Sequence, residues 1–389
     1  MRIRFDDARR LVSALGWVAP LAAGDGAVLM SVDESSVKFR AEGGPGMRTA
    51  VIDAHVSDPE SGSVPMSGPH VMQMIRALQD KHAKGEVSMD VPADDDMSII
   101  YSHLRFPVAR LFGPLSLQGD RERFSPIGDA DCGDFMGMLK SAQSLTGSQS
   151  GAISMVDMEF NPGTMRVTAT GTDKYVIGVF NAAFEPSAAY RDDVRESGKP
   201  SSFLLIPDMS GLPADTGGMV SVSESPDSVK LDYGDGRTVT FRKQGVRPLG
   251  WRRMKWLKPE GRDGEGTKIS INVRDLLTSV SIVSMASGTS ADGSPSGAKT
   301  RIISLKAGGG LLSISSEVQG APSDSIPTGY QGDGVSLQFN ADELKKAMQV
   351  VPEKDISLIS YGPAPAPIIM ESDTMVISVG QARKAEREQ

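Results

Sequence analysis

The sequence predicts an α+β protein built from three structurally similar modules, and three observations carry that prediction. A strand pair, a helix-forming segment introduced by an apolar run and a second strand pair are stated three times in the chain. The copies recur at roughly 130 residues, a whole-domain period far longer than a solenoid repeat. The chain has 389 residues, which suits two or three domains at roughly 100 to 200 residues each.

In the first copy, Phe5, Ala8, Leu11, Val12 and Leu15 recur at helical spacing, with Asp6, Asp7, Arg9 and Arg10 on the other side. A strand pair over 26–41 follows. The second helix opens at Ser67, Gly68 and Pro69, where serine can cap and proline suits the first turn. Val71, Met74, Ile75 and Leu78 form its buried stripe, with Arg76, Lys81 and Lys84 on or beyond its polar side. Strands over 86–111 complete the copy. In the second copy a helix over 129–145 carries one basic residue, Lys140, beside Asp131 and Asp134. Strands are expected over 151–180 and 218–243. Between them, the stretch from Pro207 to Leu212 runs into Pro213 and then Gly217 and Gly218, so one turn of helix at most is expected there.

The third copy opens with a helix over 271–288, capped by Asn272 or Ser270, whose first-turn Arg274 opposes the helix dipole. Strand runs follow at 299–318. Asn340, with Glu343 three residues on, reads as a capping box ahead of the stripe Leu344, Ala347, Met348 and Val351. Lys345 and Lys346 point away from that stripe, and strands over 356–379 follow. Alternation over 220–223 and 229–233 implies sheets with one wet face. Asn161-Pro162-Gly163, Asp235-Gly236 and Gly308-Gly309-Gly310 supply turns, and none has the spacing of a phosphate loop.

Composition narrows the class. Cys132 is the single cysteine, which rules out an intramolecular disulfide and suits a reducing compartment. The basic, then apolar start is broken by Asp6, Asp7, Arg9, Arg10 and Ser13, so it reads as a domain helix rather than a signal segment. No run reaches the roughly 18 apolar residues of a membrane span. A soluble, cytoplasmic protein is expected. The net charge of −8 argues against a surface basic all over, yet is compatible with a basic stripe inside an acidic exterior. His55, His70, His82 and His103 form no local metal pair, and Asp53, Asp94, Asp95, Asp96, Asp232 and Asp235 lack the spacing of a cation loop. Cys132 opens a helix among acidic neighbours that oppose thiolate formation. No catalytic residue, metal or cofactor is expected, although a dispersed active site or a non-toroidal scaffold would use the same residues differently.

With these residues in place, the chain resembles the bacterial-type DNA polymerase III beta subunit, the beta sliding clamp, as a divergent or phage-encoded member. The resemblance spans the whole length. Thr170 to Val179 is similar to the family's central Ala-Thr-Asp-x-x-Arg-Leu-Ala-Val segment, with Val176 where arginine is usual; Arg247 to Pro259 is similar to its Phe-Pro-Asp-Tyr-Arg-Arg-Val-Leu-Pro stretch; and Leu337 to Val351 is similar to Gly-Phe-Asn-x-x-Tyr-Leu-x-x-Ala-Leu. The resemblance implies a DNA clamp fold with domains over 1–122, 123–258 and 259–389. It implies a head-to-tail homodimer ring, helices lining a central hole and antiparallel sheets outside. It further implies that double-stranded DNA is held without sequence readout, and that a polymerase and a clamp loader attach through short peptides.

Hole-facing charges are then expected among Arg9, Arg10, Arg76, Lys81, Lys140, Arg274, Lys345 and Lys346. A peptide groove between the second and third domains would be lined by Thr172, Lys174, Tyr175, Val176, Ile177, Pro248, Arg253, Met254, Pro367, Val376, Ile377 and Ser378. The chain departs from the family where Ser378 to Gln381 replaces the closing Met-Pro-Met-Arg, and in a charged tail over 382–389.

Overall fold

The computed structural model describes residues 1–22, 26–43, 46–57, 63–92, 96–111, 122–148, 151–207, 217–246, 250–258, 262, 264, 266–286, 301–316, 322–362 and 366–381, without the side chains of residues 252 and 286. A related order of elements recurs three times, with the second helix of the middle module placed one strand earlier than in the other two. The first module runs β1 (Arg2–Phe5), α1 (Ala8–Val18), β2 (Ala27–Val32), β3 (Ser36–Gly43), β4 (Gly46–Asp53), β5 (His55–Ser57), β6 (Ser63–Ser67), α2 (Gly68–Asp80), β7 (Val87–Asp90), β8 (Met97–Tyr101) and β9 (Leu104–Val108). The second runs β10 (Ser125–Asp131), α3 (Cys132–Ser144), β11 (Val156–Asn161), β12 (Arg166–Thr172), β13 (Val176–Ala183), β14 (Glu185–Pro186), α4 (Ala188–Ser197), β15 (Ser201–Leu205), β16 (Met219–Glu224), β17 (Ser228–Asp232) and β18 (Arg237–Arg242). The third runs β19 (Thr267–Asn272), α5 (Val273–Ala286), β20 (Ile302–Gly308), β21 (Leu311–Ser316), β22 (Ser323–Pro327), β23 (Val335–Asn340), α6 (Ala341–Gln349), β24 (Asp355–Ser360), β25 (Ile368–Glu371) and β26 (Met375–Val379).

Each module therefore opens with a strand that feeds its first helix, a feature merged into the helix when read from sequence. Arg2, Ile3, Arg4 and Phe5 alternate exposed and buried, the period-two signature of a strand. Phe5 is thus the last residue of β1. Asp7 ends the extended run by accepting from Arg9 N at 2.9 Å, so α1 starts at Ala8. Asp131 does the same for α3 through Asp134 N at 3.0 Å. Asn272 accepts from Asp275 N and Asn340 from Asp342 N, so both cap their helices, but among the described residues Glu343 makes no return bond that would complete a capping box. Ser67 precedes α2 without a capping bond; its hydroxyl meets His70 Nδ1 at 2.9 Å instead.

Helix α4 was not anticipated, because its only buried residue is Tyr190. Its ends are nevertheless explicit in Ser187, which accepts from Tyr190 N, and in Gly198 at φ 68°. The turn of helix expected near Pro207 falls on 208–216, outside the described residues.

Among the described residues all strand pairings are antiparallel, in four sheets. The outer two lie within single modules, ordered β5-β1-β7-β8-β9 and β22-β21-β20-β23. The inner two cross module boundaries, ordered β14-β10-β16-β17-β18-β4-β3-β2-β6 and β15-β11-β12-β13-β26-β25-β24-β19. One rule generates both crossings: the last strand of the later module pairs with the strand that ends the first meander of the earlier one, as β18 with β4 and β26 with β13. Helices α1 and α2 pack together, as do α5 and α6. Their apolar stripes join the inner sheet faces in a continuous core.

The first junction is fixed by Trp17 of α1. Its indole donates to Thr238 O at 3.2 Å, meets Tyr233 edge-on, and has the guanidinium groups of Arg48 and Arg237 over its ring at 5.3 and 5.5 Å from the centroid. Such cation–π contacts strengthen as they are withdrawn from water, and Arg48 is fully buried.

Candidate partner groove and nucleic-acid face

At the second junction the β12–β13 turn is closed by its own side chains. Thr172 Oγ1 donates to Val176 O at 2.7 Å, and Asp173 Oδ1 accepts from Tyr175 N and Val176 N at 3.1 and 2.9 Å. Lys174 is thereby held at φ 91°, and Tyr175 projects from the tip, 63% exposed. Gly171 and Gly178 face each other across the hairpin. A Cβ on the first would strike the backbone carbonyl of Ala142, so it must be glycine for α3 to seat here, whereas one on the second would meet only the side chains of Leu145 and Phe180.

Strand periodicity then sorts the residues expected to line the groove. Ile177 pairs with Ser378 and Val179 with Val376, which puts these four on the outer face of the sheet. Val176 and Ile377 face the opposite way, fully buried in the main core. Their assignment to the groove is therefore corrected: adjacent strand residues cannot share a face. Thr172 is buried and spent on closing the turn. Pro248 lies outside the described residues. Pro367 is half-buried just before β25, and Arg253 is exposed.

Two 3₁₀ turns, Gly250–Arg253 and Lys255–Leu257, lie over that outer face. Ile177, Val179, Trp251 and Leu257 form an apolar cluster separate from the main core, with Met254 and Val376 packed against it. Trp251 is locked by donating to the buried carboxylate of Asp157 at 2.9 Å. Arg262 ion-pairs with Glu371 and donates to Trp256 O, and Trp256 is 42% exposed. Val179, Trp251 and Leu257, which share this apolar cluster, and the neighbouring Trp256 were not singled out from sequence; the aromatic and aliphatic spacing over 251–257 was the available signal.

The eight basic residues fall into three groups. Arg76, Lys81 and Arg274 are exposed and Lys140 half-exposed, with no ion pair among the described residues. Arg9 pairs with Asp7 at 2.7 Å, Arg10 with Asp53 at 3.5 Å and Lys345 with Asp342 at 3.0 Å. The pairs of Arg9 and Arg10 are exposed and exchange readily for a phosphate, whereas Lys345 is partly covered and also donates to Ser284 Oγ at 3.1 Å. Lys346 differs: its ammonium donates to Leu145 O, Thr146 O and Asp173 Oδ2, at 3.1, 3.2 and 2.6 Å. Its donors are committed inside the chain.

A crevice of ≈ 510 Å³ at the first junction is lined by Arg10 and Arg237 opposite Asp53 and Asp235. Its counterpart of ≈ 920 Å³ at the second is bordered by Asp129, Asp131, Asp134, Glu185 and Asp373 against Arg166. The carboxylates weighed as cation ligands have local partners: Asp96 accepts from Arg110 N, Asp232 from Gly234 N and Asp235 from Arg237. No helix among the described residues is long and apolar enough to cross a membrane.

No protein-family model matches the sequence, and no curated protein matches it. Solved structures do match. The sliding clamp of Pseudomonas aeruginosa bound to griselimycin superposes with a TM-score of 0.80 at 14% identity, covering 99% of this chain and 100% of that one. The DNA polymerase III beta subunit of Thermotoga maritima gives 0.78 at 13%, and the sliding clamp of Caulobacter crescentus 0.71 at 15%, each over 99% of this chain and 100% of the other. From β1 to β26, the chain has the fold of the bacterial DNA polymerase III beta subunits, the DNA sliding clamps.

Proposed function

We propose that the protein is a DNA sliding clamp, a processivity factor in which two copies close head to tail around duplex DNA and tether a replicative polymerase. The observation that carries this reading is the junction rule. Applied twice within the chain, it leaves two strands without such a partner among the described residues: β9 of the first module and β22 of the third, which pair there only with β8 and β21. They are complementary by construction. Joining β9 of one copy to β22 of the next repeats the internal junctions, and two copies of three modules then complete a pseudo-sixfold ring. Beside β22, Ser279 of α5 donates to Asp324, and on the same helix Ile282 and Met285 are 45% and 68% exposed. A second copy would cover this apolar face.

Helices α1, α2, α5 and α6 would then present Arg9, Arg10, Arg76, Lys81, Arg274 and Lys345 to the hole, with Lys140 contributed by α3. Contacts to phosphate read no sequence and permit sliding. Confinement by a closed ring needs no tight binding. No step of this account requires a cofactor or a reaction, and the setting is the cytoplasm, where replication takes place.

The outer platform of Ile177, Val376, Ser378 and Met254, rimmed by Lys174, Tyr175, Arg253 and Trp256, would take the apolar anchors of polymerase and clamp-loader peptides. Sedimentation tests assembly: a species of twice the 41.3 kDa chain mass is expected, and a monomer at every concentration would overturn the ring. Fluorescence polarisation with labelled griselimycin tests the groove. Saturable binding weakened at least about tenfold by Ile177→Asp is expected, since a charge would enter a desolvated pocket; equal binding by both proteins would refute the site.

A further inference from the structure

The reading of the platform as a partner groove leaves unexplained why a lysine on α6 spends its charge on another module. Lys346 reaches across the second junction to three acceptors. Two are carbonyls at the end of α3, Leu145 O and Thr146 O, where the helix dipole favours a cation. The third is Asp173 Oδ2. The other oxygen of the same carboxylate holds Tyr175 N and Val176 N. One ammonium thus fastens the tip of the β12–β13 hairpin to α3. A second tether comes from the same module, since Gly380 N donates to Tyr175 O at 2.9 Å. The Asp173 backbone also sits against Gly147, where a Cβ would lie 3.4 Å from Asp173 Cα.

We propose that Lys346 is a positioning residue for the partner groove: it orients the Asp173 turn, and with it Lys174, Tyr175 and Ile177, so that the groove takes its binding shape only while module 3 is docked on module 2. This rests on the groove assignment made above. It also takes Lys346 out of the set of phosphate contacts. Charge is central to the arrangement, because the acceptors are one carboxylate oxygen and two carbonyls that a neutral side chain of the same length would leave unpaired.

The test uses the full chain with Lys346→Met, which keeps the aliphatic stem, and Lys346→Arg, which keeps the charge. Two readouts are taken: affinity for fluorescein-labelled griselimycin, and hydrogen exchange at the Tyr175 and Val176 amides. Lys346→Met is expected to weaken griselimycin at least about tenfold, because the turn carrying Tyr175 and Ile177 loses its charge-assisted tether. It should speed exchange at these two amides while amides of β7 in module 1 stay unchanged, and Lys346→Arg should restore most of both. Wild-type exchange at Tyr175 and Val176 in Lys346→Met would overturn the proposal, as would wild-type affinity in that variant. If the unmodified chain fails to bind griselimycin, the groove assignment falls; the exchange readout still decides whether Lys346 holds the turn.

Discussion

At the scale of single residues, charges at the second junction set a pH dependence. Glu343 is half-buried on α6, and burial, with Asp173 and Asp342 nearby and only partly offset by Lys346, pushes its carboxyl up to about 7 from 4.5. Between these values the folded chain keeps a proton that the unfolded chain has released. Stability therefore falls as pH rises through this window, and the loss is complete above about 7. Glu343→Gln should raise the melting temperature at pH 8 and leave it near wild type at pH 4.5. Thermal melts at the two pH values check this, and an equal shift at both would contradict it. Trp17→Ala should cost about 3–5 kcal/mol in denaturant unfolding, because a buried aromatic loses its packing. Caps were legible at this scale, since Asn272 and Asn340 each need only their next few residues. The role of Lys346 was not, because Leu145, Thr146 and Asp173 are remote in sequence and meet it only once two modules dock.

At the scale of elements, the strands and helices were legible wherever an apolar period was sustained, as in α2 and α6. Phe5 was read into a helix because it sits three residues before Ala8, a spacing that fits either period until Ile3 is counted. Helix α4 escaped because one residue, Tyr190, docks it. Its hydroxyl donates to Phe160 O and accepts from Ser201 N, both at 2.7 Å. Tyr190→Phe should therefore cost about 1–3 kcal/mol by leaving those backbone groups unpaired, measured by denaturant titration. A loss within error would show that water satisfies them. For the helices proposed to face DNA, replacing Arg76, Lys81, Lys140 and Arg274 by alanine removes cations that have no ion pair among the described residues. The slope of log affinity against log salt should become shallower by about 0.9 for each phosphate that is no longer neutralised. An unchanged slope would place these helices away from DNA. The proposed groove around Ile177 rests on the resemblance, and Val176 and Ile377 were assigned to it without regard to the pleat that turns them inward.

At the scale of the whole molecule, threefold repetition was the clearest message of the sequence, and the structure adds what repetition alone could not show. Modules are fused by sheets that run through the junctions, so the two internal joins are continuous hydrogen-bonded ladders. The open edges differ from them in one respect: β9 carries Pro107 and β22 carries Pro327, whereas β4, β18, β13 and β26 carry none. Proline removes a ladder donor and is tolerated at edges. The closing joins are accordingly expected to be the weaker ones, and the places where a ring would open to admit DNA.

Ring closure is tested most directly by a covalent lock. Cys132 is the single native cysteine and is buried. One cysteine at Arg105 in β9 and one at Ser325 in β22 should therefore cross-link only between copies, giving a covalent dimer joined at both edges. Formed on relaxed circular plasmid, that dimer should stay with the DNA through detergent and high salt and be released when the plasmid is cut once. Cross-linking that yields only open ladders, or a dimer that leaves circular and linear DNA alike, would contradict the account.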